Sequence, residues 1–189
     1  MGHRFNPDHA ERLLSEGRQA MLPVDSVLDA LTLGHGMTFA DIGVGPGYFA
    51  LPAALRTGAT VYAVDIEPRM LERLRERAKD SAVFGQFEFM QGNACEVPLA
   101  DGSADRTLCS FVLHEVSDLA AAVAELARIT KTTGVVGLAE WEKRASESGP
   151  PESDRIARAD LISTARHAGF SPIEEVQLNA DQYILICHR

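Results

Sequence analysis

Residues 38–50 read TFADIGVGPGYFA, an apolar run followed by three glycines at alternate positions and a second apolar run. The first run predicts a short buried strand, and the second predicts a helix. Gly43, Gly45 and Gly47 lack a Cβ and tolerate positive φ, so the backbone between strand and helix can approach a ligand closely. The helix would offer free N–H groups in its first turn. This order of elements is typical of a nucleotide-type ligand site.

The spacing of these glycines differs from that of the dinucleotide-binding fingerprint, which is G-x-G-x-x-G. Here the run is G-x-G-x-G, with Asp41 just before it and Pro46 within it. A carboxylate at the end of the strand would repel a phosphate and suits a cationic ligand better. A plain strand–helix turn without any ligand is the alternative.

Strands and helices alternate along the chain from residue 37 to residue 141, which predicts a mostly parallel α/β sheet with helices on both faces. We predict seven strands, the last two forming an antiparallel C-terminal hairpin. We also predict an N-terminal helical cap over residues 1–36 and a single ligand-binding domain over residues 37–189. The predicted strands are 37–42, 60–64, 87–90, 106–113, 134–141, 173–178 and 183–187.

Composition narrows the functions that this chain can have. The 189 residues carry a net charge of −9, which disfavours binding along a phosphate backbone, so no nucleic-acid partner is predicted. The three cysteines have no zinc-like spacing, and no metal is predicted. Neither a signal peptide nor a run of membrane-span length is visible. We expect a cytoplasmic monomer or homodimer without a membrane partner.

Two stretches of the chain resemble one enzyme family. Residues 41–47 match, position for position, the motif D-x-G-x-G-x-G of the class I S-adenosylmethionine-dependent methyltransferases. Residues 92–118, GNACEVPLADGSADRTLCSFVLHEVSD, are similar to the run from the third to the fourth strand of that family. With the opening HRFNPDHAERL and a GPP run at residues 149–151, the chain is similar to the small stand-alone methyltransferases of the UbiE/menaquinone-methylase type (methyltransferase type 11).

This resemblance implies a Rossmann-like fold and S-adenosylmethionine as the methyl donor, with S-adenosylhomocysteine as product. Asp65 closes the second predicted strand 22 residues after Gly43, where a carboxylate can accept hydrogen bonds from ribose hydroxyls. Asn93 stands where the family commonly has an acid, and its amide oxygen can still accept from an adenine amino group. The predicted cofactor-binding residues are Asp41, Gly43, Gly45, Gly47, Asp65, Ile66, Asn93, Ala94 and Phe111.

The acceptor site is expected where the fourth and fifth strands end. His114 and Glu115 are the catalytic candidates, because a histidine can act as a base near neutral pH; a histidine that only caps the strand is the alternative. Trp141, Arg155 and Phe5 are predicted to line the substrate pocket, Phe5 as part of a lid. Plain packing, a surface loop and a frayed terminus are the respective alternatives.

The resemblance implies methyl transfer to a small molecule, and two other functions stay open. A non-catalytic domain that binds S-adenosylmethionine as a sensor or partner subunit would keep the same motif. An NAD-binding oxidoreductase would share Asp65, but the glycine spacing, the preceding acid and the lack of a Tyr-x-x-x-Lys set count against it. The fourth strand lacks the N-P-P-Y sequence of methyltransferases that act on nitrogens of nucleic acids and proteins.

Overall fold

A computed structural model describes residues 7–189, and within that range seven strands form a single sheet. The strands are β1 (Phe39–Ile42), β2 (Val61–Asp65), β3 (Phe87–Gln91), β4 (Ala104–Ser110), β5 (Thr130–Trp141), β6 (Ile173–Gln177) and β7 (Gln182–His188). They lie in the order β3-β2-β1-β4-β5-β7-β6. The first five strands run parallel, β7 runs antiparallel to β5, and β6 pairs antiparallel with β7. The predicted seven-stranded sheet with its C-terminal hairpin is confirmed.

Helices cover both faces of the sheet. They are α1 (Glu16–Met21), α2 (Val24–Ala30), α3 (Ala50–Thr57), α4 (Pro68–Ala78), α5 (Leu119–Ile129) and α6 (Arg158–His167), with 3-10 turns at Pro7–Leu14, Phe84–Gln86, Leu113–Glu115 and Glu152–Asp154. Adjacent residues of β1 face opposite sides, so Phe39 packs in the core under α2, α3 and α4, and Ala40 packs in the core under α5 and α6. Both cores are built mainly from buried aliphatic side chains, with several aromatic ones.

Local chemistry explains where these elements begin and end. The side chain of Asp118 accepts a hydrogen bond from the backbone N–H of Ala121 at 2.9 Å, and this cap starts α5. Residues 7–21 do not form one continuous helix, because the 3-10 turn ends at Leu14 and the hydroxyl of Ser15 caps α1. The fourth strand ends three residues earlier than predicted, because Phe111 takes a positive φ of 59°.

The parallel arrangement brings the carboxyl ends of β1, β2, β4 and β5 to one edge of the sheet. Asp41 and Asp65 lie at the ends of β1 and β2, and Trp141 is the last residue of β5. Ligands of open α/β sheets bind at this edge. Over residues 7–189, no helix is both long and apolar enough to cross a membrane.

Candidate active site

The glycine-rich turn after β1 contains two kinds of glycine, although Gly43, Gly45 and Gly47 all have positive φ (75°, 53° and 83°). A Cβ added to Gly43 would lie 2.2 Å from Val112, and one added to Gly47 would lie 2.2 Å from Leu74. These two glycines therefore make room for side chains of the protein itself. A Cβ on Gly45 would keep an ordinary distance of 3.6 Å to its nearest neighbour, so the backbone is open to a ligand there.

Asp65 ties this turn to the end of β2. Its carboxylate accepts hydrogen bonds from the backbone N–H of Gly45 at 2.8 Å and from that of Glu67 at 2.9 Å. Burial raises the pKa of Asp65, and the two N–H donors partly offset that increase. An ionised carboxylate can accept about four hydrogen bonds, so acceptor capacity remains for the hydroxyl groups of a ligand.

Asp41 is a buried carboxyl group without a hydrogen-bond partner. The residue is 1% exposed, and neither carboxylate oxygen is hydrogen-bonded. Burial, followed by the charge of Asp65, raises the pKa of Asp41 to about 8; the N–H of Ala50 opposes the shift without meeting hydrogen-bond geometry. Buried polar groups normally have partners, so an unpartnered one directly beneath the glycine turn fits a cationic ligand there.

The residues predicted to meet an adenine follow β2 and β3. Ile66 directly follows Asp65, and it is one of the few large apolar side chains with substantial exposure. The amide oxygen of Asn93 accepts a hydrogen bond from the backbone N–H of Cys95 at 2.9 Å, which shapes the turn after β3. Ala94 is buried in the adjoining core. The structure thus places Ile66 on the surface beside Asp65 and gives Asn93 a turn-forming contact.

Aromatic side chains lie at the ends of β4 and β5. The ring centroids of Phe111 and Trp141 are 5.6 Å apart. The guanidinium of Arg18, from α1, lies 5.3 Å from the centroid of the Phe111 ring and 5.0 Å from that of Tyr48. The N-terminal helices thus contribute a cation to the same edge of the sheet, which the sequence did not predict.

His114 is joined to a fully buried carboxylate that sequence reasoning missed. Nδ1 of His114 lies 2.9 Å from the carboxylate of Glu140, which also accepts the backbone N–H groups of His114 and Trp141 at 3.2 Å. Burial lowers the pKa of His114, but the hydrogen bond to Glu140 and the charges of Glu140, Glu115 and Asp154 outweigh it and raise the pKa overall. The sequence signal for Glu140 was a single acid within the apolar run VVGLAEW.

Arg155 organises the segment that follows β5. Its guanidinium donates to the carbonyl oxygens of Glu142, Arg144, Ser148 and Pro150 and to the hydroxyl of Ser146. The same group lies 5.3 Å from the centroid of the Trp141 ring. Arg155 is buried, and these contacts hold residues 142–150 beside the indole. A pocket role for Arg155 stays a prediction, and Phe5 lies outside the described residues.

A profile of the methyltransferase domain family matches residues 40–138, which is more than half of the chain. The chain belongs to the class I S-adenosylmethionine-dependent methyltransferases. The matched range contains the glycine turn, Asp65 and His114. Both the family predicted from the two motifs and S-adenosylmethionine as its cofactor are confirmed.

Relatives within this family differ in length from the present chain. The malonyl-[acyl-carrier protein] O-methyltransferase of Serratia marcescens is 35% identical over 129 residues, which cover 68% of this chain and 42% of that protein. The ubiquinone/menaquinone biosynthesis C-methyltransferase UbiE of Citrifermentans bemidjiense is 33% identical over 103 residues, covering 53% of this chain and 44% of the enzyme. The chain therefore spans less than half the length of these curated relatives.

Among solved structures, the fold is matched over almost its whole length. The crystal structure of a SAM-dependent methyltransferase from Aquifex aeolicus aligns with a TM-score of 0.89 and 22% sequence identity. The alignment covers 97% of this chain and 98% of that one. The methyltransferase fold accordingly accounts for the N-terminal helices and the C-terminal hairpin as well as the matched central range.

Proposed function

We propose that this protein transfers a methyl group from S-adenosylmethionine to a small-molecule acceptor at the ends of β4 and β5. The observation that carries the proposal is the buried, unpartnered carboxyl group of Asp41 beneath the open Gly45 backbone. S-adenosylmethionine supplies a methyl group on a positively charged sulfonium, and it carries an ammonium as well. A dinucleotide would bring a negatively charged pyrophosphate to the same turn, where an ionised Asp41 would disfavour it.

We propose roles for the residues around the turn on the same basis. Asp65 would accept from the ribose hydroxyls while it keeps the N–H of Gly45 in place. Ile66 would pack against the adenine face, and Asn93 with Ala94 would contact the adenine edge. Phe111 would separate the cofactor from the acceptor. Residues 1–36 would form a cap over this edge, with Phe5 as part of it.

The acceptor would lie against Phe111 and Trp141, within reach of His114. Glu140 holds the Nδ1 side of the imidazole, which leaves Nε2 as the atom that can accept a proton from a nucleophile. Glu115 lies 3.8 Å from that Nε2 atom and would help to orient it. Alignment of the nucleophile with the methyl group is the larger expected contribution to rate. The net charge of −9 supports a small-molecule acceptor over nucleic acid.

Calorimetric titration with S-adenosylhomocysteine, with NAD⁺ in parallel, tests the cofactor assignment. We expect saturable binding of S-adenosylhomocysteine only, weakened at least about 10-fold in Asp65→Ala because the ribose hydroxyls lose their acceptor. Asp80→Ala removes an exposed carboxylate from a turn of the surface and serves as the matched control, with unchanged affinity. Binding of NAD⁺ alone would refute the methyltransferase proposal.

Screening for the acceptor then separates catalysis from cofactor binding. The purified protein, loaded with radiolabelled S-adenosylmethionine, would be offered a library of small hydroxy, amino and thiol compounds. We expect the wild type to transfer the label to an acceptor. We expect His114→Gln to transfer less label while its affinity for S-adenosylhomocysteine is unchanged. Tight cofactor binding with no transfer to any acceptor class would favour a sensor or partner subunit.

A further inference from the structure

Arg18 is a half-buried cation without an anionic partner. Its guanidinium lies against the faces of Tyr48 and Phe111, and its Nε atom is buried with no hydrogen-bond partner. Within residues 7–189, no carboxylate lies within ion-pair distance of Arg18. Burial lowers the pKa of Arg18, with Tyr48 acting in the opposite direction, yet an arginine remains charged at neutral pH.

The other half-buried or buried arginines within residues 7–189 all donate to oxygen atoms. Some pair with carboxylates, whereas Arg106 and Arg155 donate to carbonyl and hydroxyl oxygens. Arg56 pairs with two aspartates of α2 at 2.6 and 2.7 Å. Arg128 pairs with Glu125 at 2.7 Å, and Arg158 pairs with Glu142 and Glu175. Removing a guanidinium from water without supplying acceptors costs free energy. Unlike these arginines, Arg18 has no acceptor among the described residues, so a bound ligand can supply one.

The position of Arg18 places that acceptor between the two halves of the active site. Tyr48 directly follows Gly47 of the cofactor turn, whereas Phe111 stands at the end of β4 beside Trp141. The hydroxyl of Tyr48 is engaged elsewhere, because it donates to the carbonyl of Leu22 at 2.5 Å. Around the guanidinium, Tyr48 and Phe111 therefore present aromatic faces, which provide no acceptor lone pair.

We propose that Arg18 is the binding site for the carboxylate of a bound ligand. The inference rests on the proposed function, because it needs the edge near Gly45 to be the ligand site. A planar guanidinium matches the two oxygens of a carboxylate with parallel hydrogen bonds, and the aromatic rings on its faces hold it in that plane. The segment that contains α1 is then part of the ligand site.

Two ligands could bring this carboxylate. One is the α-carboxylate at the methionine end of the cofactor; Asp41 would then meet the ammonium of the same amino-acid zwitterion. The other is the carboxylate of a planar acceptor that packs on Phe111 and Trp141. Both place the same functional group at Arg18, and binding measurements distinguish them.

The first arm of the test compares S-adenosylhomocysteine with 5′-methylthioadenosine, which lacks the amino-acid end. If the cofactor supplies the carboxylate, Arg18→Met weakens S-adenosylhomocysteine by about 10- to 100-fold and changes methylthioadenosine by less than about 2-fold. Arg18→Lys, which keeps the charge without the planar fork, falls between these values. Arg12→Met is the matched control, since Arg12 is an exposed arginine of the preceding turn.

The second arm titrates benzoate, and benzamide as its uncharged counterpart, into the complex with S-adenosylhomocysteine. If the acceptor supplies the carboxylate, Arg18→Met leaves S-adenosylhomocysteine unchanged, weakens benzoate at least about 10-fold and does not affect benzamide. Circular dichroism melts confirm that each variant is folded.

Two negative results have different meanings. If the wild type binds S-adenosylhomocysteine and methylthioadenosine but Arg18→Met changes neither their ratio nor benzoate binding, the inference is overturned while the proposed function stands. The inference is also overturned if the wild type does not bind benzoate and Arg18→Met leaves the ratio of S-adenosylhomocysteine to methylthioadenosine affinity unchanged. If the wild type binds neither nucleoside, the proposed function fails and the inference fails with it.

Discussion

The two edges of one sheet treat partly buried charge in opposite ways. At the amino edge, the carboxylate of Asp105 accepts the N–H and hydroxyl groups of Thr38 at 2.9 and 2.8 Å and the ammonium of Lys131 at 2.8 Å. At the carboxyl edge, Asp41 has no hydrogen-bond partner and Arg18 has no ion-pair partner among residues 7–189. Asp105 is therefore fully compensated at one end of the strands, whereas Asp41 at the other end is not.

The pKa values of the two aspartates express this difference. Burial raises the pKa of Asp105, but the bonds from Lys131 and Thr38 outweigh it and leave the pKa below its usual value. Burial raises the pKa of Asp41 to about 8. Compensated charges at the amino edge stabilise the fold, whereas uncompensated charges at the carboxyl edge reduce stability and remain available to a ligand.

The largest expected effect is that of Asp41→Asn. Asp41 has a folded-state pKa near 8, above its unfolded value of 3.8, so the folded state holds the proton more tightly. Wild-type stability should therefore fall as the pH rises through that window, and the variant should gain a few kcal/mol over the wild type by pH 8. Urea unfolding at pH 5 and pH 8 measures it, with exposed Asp80→Asn as control; equal pH slopes would refute the assignment.

Asp105→Ala should lower the stability of the fold, whereas Asp41→Asn raises it. We expect the free energy of unfolding to fall by about 2 to 3 kcal/mol, because the Thr38 N–H and the Lys131 ammonium lose a charged acceptor. Affinity for S-adenosylhomocysteine should stay within about 2-fold, since the site lies at the other edge. Asp101→Ala removes an exposed partner of Arg128 and should cost less than about 1 kcal/mol. A large loss of cofactor affinity in Asp105→Ala would contradict the conclusion that the amino edge serves stability and the carboxyl edge serves ligand binding.

Glu140→Gln tests the pair of His114 and Glu140, whose charges compensate each other at the carboxyl edge. The His114 pKa should fall below its ordinary value, because burial, the largest effect, persists when the carboxylate charge is gone. In the wild type, the raised pKa means that this pair stabilises the fold below pH 6.5. That contribution is lost as the pH rises through the folded-state pKa. NMR titration of the His114 ring, identified with His114→Gln, reads the shift directly. A pKa unchanged by the substitution would contradict the pairing.

Lys131→Met should have the smallest effect. The lysine side chain is 42% exposed, and Thr38 continues to donate to Asp105 after the ammonium is removed. We expect a loss of at most about 1 kcal/mol in urea unfolding, decreasing further with added salt. A loss as large as that of Asp105→Ala would mean that the lysine, and not Thr38, compensates the carboxylate.

Sequence patterns predicted the scaffold well because its signals are local. Hydrophobic runs and glycines placed all seven strands, and the position of Asp41 and Asp65 near strand ends followed from parallel topology. The end of β4 was misplaced because the apolar letters FVL continue past Ser110, while the backbone turns away at Phe111. Periodicity carries no information about such a change of φ.

The missed site residues depend on contacts between distant parts of the chain. In the sequence, Arg18 is one of several cations before the glycine-rich turn, and only tertiary packing brings it to Tyr48 and Phe111. Glu140 could have been suspected from its apolar surroundings, but its pairing with His114 spans 26 residues. Gly47 is recognisable by its motif, whereas its packing against Leu74 is visible only in three dimensions.

The way Arg155 holds residues 142–150 has a consequence for how this enzyme could change over evolutionary time. Four of the five acceptors of its guanidinium are main-chain carbonyls, which residues of every type provide. Exposed side chains of this segment, such as Lys143, Ala145 and Glu147, can therefore be exchanged while its path beside Trp141 is kept. We expect substitutions in this segment to change the preference for the methyl acceptor with little loss of stability. Arg155 alone would then keep the path of the segment constant while its sequence varies.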